Sequence, residues 1–419
     1  MNTTRRLGLI EIININAYWF GLSFMWNSLH QLVLPAILLN YVPETQKNTY
    51  LGLLTFVGLI IAMVVQPISG RVSDRWVSHW GRRRPLIFVG TAFDFVFLAI
   101  LAWAGGLFWV ALGYLALQFS SNVAHGPAQG LMPDLVPEEQ LGSASGIKVF
   151  IDIGGQIISY LVIILVLDSK APDPTVPIII VSVIMAICAA WTLIGAREKP
   201  STRVQPEDQP ARPIRRTPAE RQQAISYGWL IASRFIFLLG IYDIQAFAYY
   251  YIRDVISEAD PVKMTGILLA AISVALIAFG LVGGRQSDRF GHKKLLVFSS
   301  VVTAIGCMLL LFARDPVTLI IFGSVTGAGI GMYITSNWAL ANQLAPKQEA
   351  GMYLGLTNIA TAGAGAVARL AGPVIDIVNN AFPGRYWGYS LLFILAAVFA
   401  LLSLVLLRKV TTKPEGMAA

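Results

Sequence analysis

Lys148, Asp152, Gln156 and Tyr160 follow one another at steps of four residues through a stretch that is otherwise apolar. On a helix that spacing places all four on one face. Ionisable groups inside hydrocarbon are costly and usually face a cavity or a partner. Two chemistries fit. Asp152 either takes up and releases a proton as its surroundings change, or is tied to Lys148 in a permanent pair that locks the helix. At about 1.5 Å per residue, Asp152 lies roughly 15 Å from the nearer end of its span, close to the bilayer midplane. Asp94 reaches a similar depth, and it and Asp243 are the next proton-carrying candidates. Amides and bases recur elsewhere at helical spacing: Asn27 with Gln31, Trp26 with His30, and Gln118, Asn122 and His125. The later part is more aromatic, with Asp243, Gln245, Phe247, Tyr249, Tyr250 and Tyr251, then Tyr333, Asn337, Trp338 and Asn342. Amides and carboxylates hydrogen-bond hydroxyl groups, and aromatic faces stack on the apolar side of a pyranose ring. These residues are therefore candidate contacts for a polyhydroxylated solute. Tyr251 and its neighbours equally suit an interfacial aromatic belt. Arg234 is placed near the inner end of its span, from where it would snorkel to the interface. Arg369 and Asp376 are expected to pair.

The elements that must position these groups are membrane spans. The chain has 419 residues, 56% hydrophobic and 13% charged, with a mean hydropathy of +0.65. Soluble domains carry roughly 25% charged residues, so lipid is the expected solvent. Runs of about 20 apolar residues predict twelve spans near 12–40, 48–70, 85–104, 107–131, 142–167, 176–196, 227–252, 264–283, 294–313, 317–341, 350–378 and 386–407. No cleavable signal peptide is expected. With the amino terminus inside, inner segments hold 22 Lys and Arg and outer loops six. That imbalance predicts both termini on the cytoplasmic side. It also explains the net charge of +8 without nucleic acid. Cys188 and Cys307, in separate spans, are expected as free buried thiols.

A charged loop appears twice. Gly70-Arg71-Val72-Ser73-Asp74-Arg75 leads to Gly81-Arg82-Arg83-Arg84-Pro85, and Gly284-Arg285-Gln286-Ser287-Asp288-Arg289 leads to Gly291-His292-Lys293-Lys294. Pro137 with Gly142 returns as Pro346 with Gly351. Two equal halves with one layout in a membrane are the pattern of a transporter. The expected division is 1–196 and 227–419, each a six-helix bundle, joined by a proline-rich cytoplasmic linker at 197–226. In the loops, Gly70, Asp74, Arg75, Gly81, Arg82, Arg84, Gly284, Asp288 and Arg289 are candidate gating residues, with Asp74 pairing with arginines to latch the halves in one state. Gly70 and Gly284 permit close helix approach or a hinge. Arg83 is assigned to setting topology alone.

Twelve spans in two halves, with the loop in both expected places, resemble the major facilitator superfamily. Val65-Gln66-Pro67-Ile68 leading to the GRRRP tail, with Asn122, Gly126-Pro127 and Asp134 to Glu139, is most similar to the glycoside carriers and their sucrose-transporter-like branch. The resemblance implies an all-α membrane protein of twelve transmembrane helices in two pseudo-symmetric bundles. It also implies a secondary carrier of a sugar or glycoside in the cytoplasmic (inner) membrane, working as a monomer by alternating access. Plant-type sucrose–proton symporters have an acid and an arginine where this chain has Gln118 and Gln129, so proton coupling stays open. Span two has no acid, which disfavours a melibiose-type sodium site. Two other readings remain: an exporter of amphipathic small molecules, and a non-transporting membrane assembly factor. The sequence offers no nucleophile elbow, metal cluster or phosphate loop, so no catalysis, cofactor or metal is expected. The glycines at 323, 327, 329 and 331 are assigned to helix packing.

Overall fold

The computed structural model describes residues 6–201, 218–256, 259–345 and 350–411. It divides into two compact units, Met1–Asp208 with Asp260–Gly266, and Gln209–Ala259 with Ile267–Ala419. The described residues are almost wholly helical. The first unit contains α1 (Leu9–Ser28), α2 (Leu34–Leu38), α3 (Lys47–Asp74), α4 (Arg84–Ala102), α5 (Leu107–Leu135), α6 (Leu141–Ile163) and α7 (Thr175–Gly195). The second contains α8 (Pro218–Tyr251), most of α9 (Pro261–Phe290), α10 (His292–Leu310), α11 (Pro316–Leu344), α12 (Ala350–Ala368), α13 (Ala371–Ala381) and α14 (Trp387–Arg408).

Among the described residues, eleven helices are long and apolar enough to cross a membrane. The expected first span, α1 to α2, is continuous from Leu9 to Leu38 through one π turn at Leu29–Val33. It falls short on that measure because it carries Glu11, Asn14, Asn16, Asn27, His30 and Gln31. The expected eleventh span is broken between Ala368 and Ala371. Residues 202–217 of the expected linker, and Pro346 and Lys347, lie outside the described residues. The expected linker also extended too far, since α8 starts at Pro218. Hydropathy misses this end because 218–223 are mostly polar, although Ala, Glu, Arg and Gln are good helix formers.

Large apolar side chains point outward, among them Phe150, Leu165 and Ile194. Polar ones are buried, including Asn16, Gln31, Asp94, Gln118, Asn122, Arg234, Asp243 and Asn337. That inversion is expected where the surrounding solvent is hydrocarbon. In the first unit α1 packs on α6 and α7, and α5 on α3 and α4. In the second, α8 packs on α12 and α14, and α10 on α11.

Small residues set the closest approaches. A Cβ at Gly126 would stand 2.3 Å from the Gln66 carbonyl, so α3 and α5 touch backbone to backbone there. At Gly70 the nearest atom is 3.7 Å away, ordinary contact. Gly70 belongs to the same crossing, since a Cβ at Gly126 would also stand 2.8 Å from the Gly70 nitrogen. On α11, a Cβ at Gly327 or Gly331 would meet the Ile272 or Leu276 carbonyl of α9, at 2.6 and 2.2 Å. α11 begins at a proline preceded by Asp315, whose carboxylate accepts from the Val317 and Thr318 N–H groups. These donors, the Thr318 N–H foremost, hold the Asp315 carboxyl below the usual range.

Candidate functional site

One face of α1 organises the polar interior of the first unit. Trp19, Ser23 and Asn27 step along it at four-residue intervals and meet α6 residue for residue. The Lys148 ammonium lies 3.5 Å from the Trp19 ring centroid. Asp152 sits beside the Ser23 hydroxyl and within electrostatic reach of Lys148. The Tyr160 hydroxyl donates to Asn27 Oδ1 at 2.9 Å and receives Gln156 Nε2 at 3.1 Å. Among the described residues no ion pair joins Lys148 to Asp152. The ammonium rests on an indole and the carboxyl lies beside a hydroxyl, with the two charges still within electrostatic reach of each other.

The same helix meets α5 in the opposite direction. His125 stands edge-on to Trp19 with centroids 5.0 Å apart. Further along, His30 Nε2 lies 2.9 Å from the Tyr114 hydroxyl, which also accepts from Gln118 Nε2 at 2.8 Å. Asn122 Nδ2 donates to the Gln118 carbonyl and side chain. Trp26 stacks on His30 at 5.0 Å. Asn27, His30, Gln118, Asn122, Asp152 and Gln156 thus join one polar seam, with Gln31 buried on the π turn. Asp94 lies apart from it. Its carboxyl accepts from Ser120 on α5 at 2.5 Å, and its second oxygen has no partner among the described residues.

The loop after α3 is built around Arg83, which is 6% exposed. Its guanidinium pairs with Asp74 at 2.5 Å and Asp134 at 2.9 Å. It also donates to Ser73 Oγ at 2.5 Å and the Gly70 carbonyl at 3.3 Å. Arg82 pairs with Asp134 at 2.5 Å. Glu198, just past α7, accepts the Arg83 and Arg84 N–H groups at the start of α4, an anion at a helix amino terminus. Arg84 reaches the Leu193 carbonyl. Burial pushes the Glu198 carboxyl up, and the two N–H donors oppose it. Gly81, at φ 95°, has Glu198 where a Cβ would be, so this turn requires glycine. Arg83 corrects the sequence reading, which gave it topology alone. Its signal was the acid set of Asp74 and Asp134, which the sequence could not bring together. Glu198 carried no signal at all.

In the second copy of the loop, Gly284, Asp288 and Arg289 lie on the last turns of α9. Asp288 and Arg289 are exposed, and Arg289 lies over Phe290 at 5.6 Å. Ser287 Oγ is 2.5 Å from His292 Nδ1, and Lys293 Nζ donates to the Val410 carbonyl at 2.7 Å. Arg75 sits exposed at the end of α3.

In the second unit Tyr333 lies flat on Phe237, centroids 3.6 Å apart and planes within 6°. One face of the ring expected to stack on a solute is therefore covered by protein. Tyr249 is buried edge-on to Tyr250. Asp243 is buried within electrostatic reach of Arg369, which donates to the Tyr242 carbonyl. Asn337 Oδ1 accepts from Arg234 Nη1 at 2.8 Å, Thr361 Oγ1 accepts from Arg234 Nε at 2.9 Å, and Trp338 lies under the guanidinium at 5.1 Å. Arg234 is 4% exposed and does not snorkel. It lies about 24 Å along α8 from Pro218.

The family profile described as "MFS/sugar transport protein" matches residues 33–408. A sucrose transport protein (SUT1) of Oryza sativa subsp. japonica is 35% identical over 112 residues, 22% of this chain and 21% of that relative. The alignment thus spans about a fifth of the sucrose transporter. The multi-drug resistance efflux pump PmrA of Streptococcus pneumoniae is 22% identical over 372 residues, 86% of this chain and 89% of the pump. Among solved structures, a POT family transporter in complex with 5-aminolevulinic acid superposes with a TM-score of 0.76 at 11% identity, covering 96% of both chains. That likeness speaks to the fold. With two helical units, apolar outside and polar inside, and a profile match over most of its length, this chain is a multi-pass membrane protein belonging to the MFS/sugar transport protein family of the major facilitator superfamily.

Proposed function

We propose that the protein carries a sugar or glycoside across the cytoplasmic membrane by alternating access, with both termini on the cytoplasmic side. The observation that carries this reading is the seam on α1. Amides, an imidazole, a carboxyl and tyrosine hydroxyls are strung along one partly buried face with two tryptophans. Sugar hydroxyls both donate and accept, and such a surface matches them better than it matches a bare cation or a purely apolar solute. The family match and the sucrose transporter alignment support the same class. Asp152 is the proposed proton carrier: it lies half-buried beside the Ser23 hydroxyl, and Lys148, within electrostatic reach, rests on the Trp19 ring. Asp243 and Asp94 are second candidates. The loop around Arg83, Asp74 and Asp134 is proposed as the gate.

Ligand-dependent thermal stabilisation of the purified protein, across mono- and disaccharides at pH 5.5 and 7.5, tests this. A ligand at 100 times its Kd adds about 2.7 kcal/mol to apparent stability. A shift with one glycoside, larger at pH 5.5, is the expected outcome; Asp152→Asn should abolish the difference between the two pH values. A shift that is the same at both pH values leaves a facilitator. A second reading, export of amphipathic molecules, is favoured by the alignment with the efflux pump over most of both chains. Stabilisation by amphipathic compounds and by no sugar would select it.

A further inference from the structure

Among the described residues Arg234 is a buried charge without a counter-charge. Its guanidinium has two hydrogen-bond acceptors, Asn337 Oδ1 and Thr361 Oγ1, both neutral, and the face of Trp338 beneath it. Among the described residues no carboxylate pairs with it, and the ionisable groups that act on it are the tyrosines Tyr227, Tyr242 and Tyr333. Elsewhere in the protein, arginine buried to a similar degree is answered by acids: Arg83 has two. Desolvating a guanidinium costs several kcal/mol, and neutral oxygens recover only part of it.

A second observation points the same way. Asn337 is 1% exposed, and its Nδ2 has no hydrogen-bond partner among the described residues. Its orientation is not in question, because Oδ1 must face the Arg234 donor; the reversed amide would set donor against donor. The cluster therefore holds an unanswered positive charge and an unanswered N–H donor side by side. Both lack the same thing, an anionic acceptor. A carboxylate supplies two oxygens in the plane that a guanidinium fork recognises. The stacked Phe237–Tyr333 pair and Trp338 give the neighbourhood an apolar wall for the rest of the molecule.

We propose that Arg234, with Asn337, Thr361 and Trp338, binds the carboxylate of the transported solute, so that the substrate is a small organic acid such as an acidic sugar and not a neutral one. This rests on the reading of the protein as a solute carrier. It goes beyond that reading by giving the solute a charge and assigning the residue that meets it.

The test uses the full-length protein in detergent and the sodium salts of acetate, D-gluconate, D-glucuronate and benzoate, with sodium chloride as the ionic-strength control and D-glucose as the neutral one. At least one carboxylate should raise the unfolding temperature above chloride, and Arg234→Gln should weaken its binding about 30-fold or more. Arg234→Lys keeps the charge and loses the fork, so it should restore only part of the affinity. Should Arg234→Gln fail to fold, Asn337→Asp decides. It places a carboxylate of the same shape against the guanidinium, and should raise stability without ligand while eliminating the carboxylate shift. The proposal is overturned if no carboxylate exceeds chloride, or if the shift survives both Arg234→Gln and Asn337→Asp. A glucose shift that is unchanged in every variant, with no carboxylate effect, sinks it and leaves the sugar carrier standing. A carboxylate shift that is no larger for the sugar acids than for acetate or benzoate keeps the anion site and removes the sugar.

Discussion

In the first copy of the loop motif Arg83 reaches two carboxylates and a serine; in the second, the lysine at the matching place, Lys293, reaches main-chain carbonyls at and just past the end of α14. The cause is legible once the copies are aligned. At the offset that brings Pro137 onto Pro346, Asp134 falls on Gln343, so the acid shared by Arg82 and Arg83 has no equivalent. Neither α4 nor α10 is capped by its own N-cap side chain, but Glu198 accepts from the first N–H groups of α4, and among the described residues no side chain does so for α10. A repeated sequence motif has thus kept its glycines and its basic run but not its network. One loop is clamped by ion pairs. The other is held by hydrogen bonds to uncharged acceptors and should yield first.

That comparison can be broken at three points. Arg83→Ala has the largest expected effect. It takes from Asp74 its arginine, leaves Asp134 with Arg82 alone and empties the space beside Gly130, costing about 2 kcal/mol, less than a broken buried pair because Asp74 is half exposed and Asp134 keeps a partner. A drop of several degrees in the unfolding temperature, with transport lost or slowed, is the outcome to look for. Lys293→Ala should cost below about 1 kcal/mol, since a lysine at helix-end carbonyls contributes little more. Equal losses from the two substitutions would mean that the ion pairs around Arg83 add nothing. The smallest effect is a pH slope. Burial raises the Glu198 carboxyl above its ordinary 4.5, so the folded state holds its proton more tightly than the unfolded one. Stability from this group should be present at low pH and decline as pH rises from about 4.5 through the raised value. Glu198→Gln should flatten that segment of the stability–pH curve and leave the rest alone.

Most helices were visible in the sequence because a span announces itself by length and hydropathy, and α6 declared its polar face through four residues at one spacing. What escaped was whatever depended on distant partners. Arg83 looked like three neighbouring arginines doing one job. Its difference lies in Ser73, Asp74 and Asp134, which helices α3 and α5 deliver from opposite sides. Glu198 is 115 residues from the N–H it accepts. Arg234 was expected to snorkel, but Asn337 of α11 and Thr361 of α12, both over 100 residues away, bury its guanidinium inside the second unit. Tyr333 was correctly placed in the interior, but no residue spacing signals that Phe237, 96 residues away, covers one face of its ring.

The π turn at Leu29–Val33 has a consequence for how this protein tolerates length changes. A π turn accommodates one residue more than an α turn does. Deleting a single residue there would let the span close into unbroken α-helix, whereas a deletion elsewhere in a packed helix swings everything on one side of it by about 100°. His30 and Gln31 occupy this slack. The first span therefore carries its own spare residue beside the seam, and a one-residue deletion scan should find its most permissive point in the middle of a buried helix, where such scans ordinarily find the least.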